Sequence, residues 1–167
     1  MVGNGNYISE HKIWDLLSQI PDPDIPVINI TELGIVRQVI VDDFGKITVV
    51  ITPSYSGCPA MSVFKEEIKN KLLENGATSV DLKIELSPPW TTDWLSDVTK
   101  NKLKKYGIAP PEEHSSDFIG LFSNKKVTCP HCNQNETKLT SQFGSTPCKS
   151  LWFCNLCHQP FEYFKCH

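Results

Sequence analysis

The sequence predicts an α+β fold, a small sheet with packed helices in the order α-β-β-α-β-α, followed by a small zinc-ribbon domain. Three observations lead there. Apolar residues recur at helical spacing in the first, fourth and sixth segments, and β-rich runs bounded by turn residues fill the others. Two Cys-x-x-Cys pairs, Cys129-Pro130-His131-Cys132 and Cys154-Asn155-Leu156-Cys157, close the last quarter of the chain. The break between the two parts falls in Ala109-Pro110-Pro111-Glu112-Glu113-His114-Ser115-Ser116, which has loop composition and no periodicity. The expected organisation is therefore residues 1–109 as the α+β domain, 110–122 as a linker and 123–167 as the ribbon. Phe118, Ile119, Leu121 and Phe122 are expected to dock the linker's far end onto one of the domains.

Between Ser9 and Ile20, Ile13, Leu16, Leu17 and Ile20 fall on one helical face, and Pro21 stops the run. Asp22-Pro23-Asp24-Ile25-Pro26 follows as a rigid acidic turn, because each proline fixes its own φ and pushes the residue before it toward extended backbone. Two β-rich runs, Ile35 to Val41 and Lys46 to Thr52, are joined by Asp42-Asp43-Phe44-Gly45 and read as a hairpin. Ala60 to Glu74 is helical with Gly76 suited to its C-cap. A third strand spans Val80 to Leu86, and a last helix runs from about Asp93 to Tyr106, ending at Gly107.

The cysteine pairs are the strongest chemical signal. They are separated by 21 residues, slightly more than is usual, and can bring four thiolates to the corners of one tetrahedron, the arrangement a structural zinc prefers. A rubredoxin-type iron site, a cluster or a redox couple would use the same ligand type. The 45 residues from Ser123 to His167 hold too little apolar mass to fold without a staple, so metal binding would also be folding energy. Cys154-Asn155-Leu156-Cys157-His158 also matches a covalent haem motif, but that reading leaves Cys129 and Cys132 without a role. Met1 to Asn6 is polar and opens no charged-then-apolar export signal, so a cytoplasmic, reducing location is expected, where cysteines bind metal or do chemistry rather than form disulfides.

Composition narrows the partners. Met1 to Phe122 carries 11 basic and 17 acidic residues, and Ser123 to His167 carries 5 basic and 2 acidic. Four thiolates around a divalent ion add about −2, leaving the tail nearly neutral and without the basic face that nucleic acid requires. No apolar run approaches the ~18 residues of a membrane span.

Two loops of the front domain carry candidate chemistry. Cys58 sits in Thr52-Pro53-Ser54-Tyr55-Ser56-Gly57-Cys58-Pro59, where a strand hands over to a helix. Backbone N–H groups and the positive helix end there favour a thiolate, so Cys58 is a candidate nucleophile or metal ligand, or else a small space-filling residue. Ser87-Pro88-Pro89-Trp90-Thr91-Thr92-Asp93-Trp94 follows the third strand; either Trp90 and Trp94 roof a cleft beside the Cys58 loop or Trp90 covers the core, and Thr92 or Asp93 is expected to cap the last helix.

Ile20 to Val27, Leu33-Gly34-Ile35-Val36, the Cys58 loop and Trp90-Thr91-Thr92-Asp93-Trp94 together resemble iron-sulfur assembly accessory factors, which include the bacterial SufT-like proteins and the eukaryotic cytosolic iron-sulfur targeting factors. Tyr106-Gly107-Ile108-Ala109-Pro110-Pro111, Phe143 to Lys149 and Pro160 to Lys165 extend the likeness: nearly the whole chain resembles the PaaD-type accessory subunits of phenylacetyl-CoA epoxidase systems. The resemblance implies an iron-sulfur assembly factor-like front domain and a role in assembling or delivering metal centres rather than in turnover. It carries a functional cysteine onto Cys58 as a transient iron or iron-sulfur ligand. It implies as partners the oxygenase with its di-iron subunit and the reductase with flavin and a 2Fe-2S cluster. Asp24 stands where many relatives have glutamate.

The expected site residues are thus Cys129, Cys132, Cys154 and Cys157 for structural zinc and Cys58 for a transient ligand, with Cys148, Asp24, Trp90 and Asp93 as additional candidates. Cys148 reads as a fifth thiol near the ribbon, a transient ligand or a buried filler, and Cys166 as a bystander. Two other classes stand beside the accessory reading. One is a thiol-based enzyme using Cys58, which needs a base that neither His11 nor His114 offers nearby in sequence. The other is a non-catalytic structural or protein-interaction subunit. The sequence leaves homo-oligomerisation open.

Overall fold

The computed structural model describes residues 8–112 and 126–165. Met1 to Asn6, Phe118, Ile119, Leu121, Phe122, His114, Cys166 and His167 lie outside the described residues. The chain forms two compact units, divided in sequence between Trp90 and Thr91.

The first unit begins with α1, Glu10–Leu17, whose start is fixed by the Ser9 side chain accepting the Lys12 N–H. Its buried stripe of Ile13, Leu16 and Leu17 packs on the sheet and on the second helix. The next stretch is held by side-chain turns. Asp22 Oδ1 accepts the N–H groups of Asp24 (2.8 Å) and Ile25 (2.7 Å), so Asp22 is buried in the turn it closes, whereas Asp24 is exposed. Strands β1 (Val36–Val41) and β2 (Lys46–Ile51) form the expected hairpin, in which Asp42 Oδ1 accepts from both Phe44 and Lys46 and Gly45 takes φ +76°. Helix α2, Ala60–Glu74, buries Phe64, Ile68 and Leu72. It ends with Gly76 at φ +98°, the Gly76 N–H donating to Leu73 and that of Ala77 to Leu72, the paired bonds of a Schellman ending. Strand β3, Ser79–Ile84, lies parallel to β2, giving a three-stranded sheet in the order β1-β2-β3.

The second unit starts earlier than the sequence suggested. The expected front domain ran to residue 109 and included the last helix, but that helix, α3 (Asp97–Tyr106), leads through Gly107 at φ +94° into a two-residue strand, β4 (Ile108–Ala109). Strand β4 pairs in parallel with Glu162 and Tyr163 of the ribbon. Ala109 is fully buried in the ribbon's core beside Val127, Trp152 and Phe161, which is why this segment belongs with the tail. The ribbon sheet has the order β4-β7-β6-β5, in which β5 (Thr137–Ser141), β6 (Lys149–Cys154) and β7 (Pro160–Phe164) each run antiparallel to the next. Its far end holds a buried ion pair. The Lys149 side chain is 3% exposed and lies 3.0 Å from Glu162. Glu162 Oε1 accepts the Ser145 N–H, and a Cβ on Gly144 would stand only 2.6 Å from that oxygen, so a larger residue there would have to displace the Glu162 carboxylate. Burial pushes the Glu162 carboxyl up, but the Ser145 N–H and the Lys149 ammonium together bring it below the usual range. Among the described residues, no helix is long and apolar enough to cross a membrane.

Candidate metal centre and thiol loop

The four ribbon cysteines converge. Their sulfurs all lie within 4.8 Å of one another, with Cys129 Sγ 3.7 Å from Cys157 Sγ and Cys132 Sγ 3.5 Å from Cys154 Sγ. A tetrahedral ion with zinc–sulfur bonds of ~2.3 Å would hold its sulfurs about 3.8 Å apart. The donor set and its spacing therefore fit zinc, and four protein ligands leave no open coordination position, the mark of a structural site.

Two copies of one backbone device build this centre. In the first knuckle the Cys129 N–H donates to the Gln134 carbonyl (2.9 Å) and the Asn133 N–H to the Cys129 carbonyl (2.9 Å). In the second, Cys154 donates to Gln159 (3.0 Å) and His158 to Cys154 (3.0 Å). Asn133 at φ +60° and His158 at φ +57° occupy matching left-handed positions. The sequence points to His158 only as part of a haem motif and does not single out Asn133, although an asparagine directly after a Cys-x-x-Cys pair is itself a signal for left-handed backbone. His158 thus closes a knuckle, and the four convergent sulfurs leave no room for the haem alternative. Without a metal ion the thiols sit unequally: burial pushes Cys132 up and Cys157 up to about 12, whereas the backbone N–H groups of Cys157 and Leu156 draw Cys154 down to about 7. A divalent ion would replace the protons that this crowding retains.

Cys58 is placed differently. It is half-buried on the loop between β2 and α2, directly before the Pro59 cap, and its N–H is taken by the Tyr55 carbonyl (3.3 Å) while its carbonyl accepts from Met61 (3.2 Å). Gly57 before it has φ +83° and open space around it. The loop therefore fixes the backbone of Cys58 and leaves its thiol partly accessible.

The additional candidates separate. Trp90 is 4% exposed and its indole N–H donates to the Leu33 carbonyl (2.8 Å), making it a core residue of the first unit with a satisfied polar edge. Thr91 caps a short 3₁₀ turn, Thr92–Trp94, by accepting the Asp93 N–H. Neither Thr92 nor Asp93 caps the last helix; Ser96 does, its side chain accepting the Thr99 N–H. Asp24 is exposed on its turn. Cys148 does not join the four-sulfur group; it is half-buried at the start of β6 with its sulfur 3.0 Å from Thr146 Oγ1.

Residues 114–165 match the family described as the PaaD zinc beta ribbon domain, and residues 10–87 the family described as iron-sulfur cluster assembly protein. An Escherichia coli (strain K12) protein, named as one of the subunits of a "Putative 1,2-phenylacetyl-CoA epoxidase", is 46% identical over 157 residues, covering 93% of this chain and 92% of its own. The Staphylococcus aureus (strain USA300) protein named "Fe-S protein maturation auxiliary factor SufT" is 38% identical over 80 residues, 47% of this chain and 90% of the relative. Among solved structures, a domain of unknown function from Bacillus anthracis aligns with a TM-score of 0.53 and 25% identity over 56% of this chain and 90% of that one. A conserved hypothetical protein from Thermotoga maritima aligns with a TM-score of 0.51 at 19% identity over 58% of this chain and 95% of its own, which speaks to fold alone.

Proposed function

The chain belongs to the PaaD family, an iron-sulfur assembly domain joined to a PaaD zinc ribbon, and from that premise we propose that it is an accessory protein that assists maturation of a phenylacetyl-CoA epoxidase's iron or iron-sulfur centres. The observation that carries this reading is the pairing, in one chain, of full-length likeness to an epoxidase component with a front domain shared with named iron-sulfur maturation factors. The iron or cluster is cargo, and the partners of the chain are the oxygenase and reductase components.

The two thiol sites divide the work on chemical grounds. A carrier must hold iron through few, accessible ligands, because a closed four-thiolate centre does not release its ion. Cys58, half-buried on a fixed loop, is suited to hold and pass on cargo, and the ribbon centre is suited to permanence. A thiol enzyme would need a base; His11 in the same unit pairs with Asp15 (3.4 Å) on an exposed face of α1.

The test uses oxygenase and reductase prepared from cells with and without this chain, and measures iron content and turnover before and after chemical reconstitution. Clients made without it should be iron-poor and inactive, and reconstitution should restore them with no chain present. In cells carrying Cys58→Ser, client iron content should fall as it does without the chain. Fully metallated clients that stay inactive until the chain is added back would make it a structural component instead.

A further inference from the structure

Strand β3 is the last strand of the first unit's sheet, and among the described residues nothing pairs with its outer side. The Glu85 N–H donates to the Ile51 carbonyl (3.0 Å), so the odd-numbered residues of this stretch turn their backbone groups toward β2. Val80, Leu82 and Ile84 therefore present theirs outward as a row of donors and acceptors that no described strand pairs with. The opposite edge of the sheet is guarded: β1 breaks register between Val36 and Gln38, a bulge that discourages pairing. Strand β3 keeps regular register over all six residues, from Ser79 to Ile84.

The side chains along β3 are not neutral to what pairs with it. On one face Val80 and Leu82 are half-buried, but cover thins toward the end, where Ile84 is 47% and Leu86 63% exposed. On the other face lie Asp81 and Lys83, opposite in sign and two residues apart. Asp81 also meets Lys46 of β2 at 2.7 Å, on an open face where it can be shared between strands. A second β3 running antiparallel about a two-fold axis at Leu82 would set Leu82 against the partner's Leu82 and exposed Ile84 against the partner's half-buried Val80. It would also set Asp81 against the partner's Lys83, twice. Shifting the axis to Lys83 would instead oppose lysine to lysine and Asp81 to Glu85, so charge selects the first register.

We infer that β3 is the pairing edge for a second copy of this chain, the strands running antiparallel about Leu82 to give a continuous six-stranded sheet. The test takes the full zinc-loaded chain in sedimentation equilibrium at micromolar to tens-of-micromolar concentrations. The chain should dimerise, and the amides of Leu82 and Ile84 should exchange more slowly as concentration rises. Lys83→Glu turns two attractive pairs into two repulsive ones and should weaken the dimer by about tenfold or more. Adding Asp81→Lys to that variant reverses both signs and should restore it. A monomer throughout, a dimer indifferent to Lys83→Glu, or exchange at Leu82 and Ile84 that does not respond to concentration would each overturn the inference. So would protection of those amides only on addition of epoxidase components to a chain that is otherwise monomeric, since the edge would then belong to a client.

Discussion

Cys129, Cys132, Cys154 and Cys157 share one centre on paired knuckles, and two of them are fully buried; Cys58 stands by itself on a loop before α2. The units around them differ in the same sense. The first is filled by Ile, Leu, Val and Phe side chains from two helices and a sheet, whereas the core cluster of the second counts two of its own metal-binding cysteines among its buried members. One unit can hold itself together by apolar burial and leave the half-buried Cys58 out of that work. The other uses its thiols as structure. The same residue type is thus drawn into the core in one place and left partly accessible in the other.

The harshest way to break this contrast is to remove a ribbon ligand. Cys154→Ala should abolish binding of the one zinc per chain and unfold the ribbon, because metal binding in small zinc domains is worth about 10–16 kcal/mol. Hydrogen exchange should show β4 to β7 losing protection while β1 to β3 keep theirs; loss in both would mean the units do not fold separately. The reciprocal cut is Leu72→Ala in α2, which is fully buried and should cost the first unit about 2–5 kcal/mol in denaturant unfolding with zinc content unchanged. Trp90→Phe keeps most of the apolar contact and strands the Leu33 carbonyl, so a loss of about 1–3 kcal/mol in the same unit is expected.

Acid should sharpen the difference further. Zinc binds thiolates, so every proton held by a metal-free ligand must leave on binding, and affinity falls as pH falls. Cys132 and Cys157, both pushed up, hold protons at neutral pH, and Cys154 joins them as pH drops through about 7. The zinc dissociation constant, followed with a competing chromophoric chelator, should therefore rise more steeply below that point than above it. Cys58→Ser should do least to the fold, with stability within about 0.5 kcal/mol of the original and full zinc content. In the zinc-loaded protein with all seven cysteines, competitive alkylation should mark Cys58 faster than the four ligands; equal rates would remove the distinction between idle and structural thiols.

Local signals made most of the first unit legible. Ser9, the stripe of Ile13, Leu16 and Leu17, the Asp42 to Gly45 turn and Gly76 act within a few residues of themselves, so periodicity and turn chemistry locate α1, the hairpin and α2. The metal centre was legible because ligand spacing is written directly in the chain. Pairing of Ile108 and Ala109 with Glu162 and Tyr163 joins residues more than fifty positions apart through backbone alone, and nothing in two apolar residues announces it. Lys149 was hidden for a related reason: a lysine is read as surface, and its burial depends on Glu162 arriving from the next strand. Capping of the last helix was misassigned by a few residues because Thr91, Thr92, Asp93 and Ser96 are all competent caps, and the 3₁₀ turn in between decides which of them is used.

Strand β4 also bears on where this protein can be cut. The matched families cover residues 10–87 and 114–165, and the stretch that neither claims includes α3 and β4. A ribbon excised at residue 114, or grafted onto another protein from there, would leave behind the strand that covers the outer edge of β7 and the Ala109 that fills its core. A transplantable ribbon begins at Thr91, ahead of the Ser96 cap of α3, and exchange between relatives that respects that border should yield soluble chimaeras where exchange at residue 114 should not.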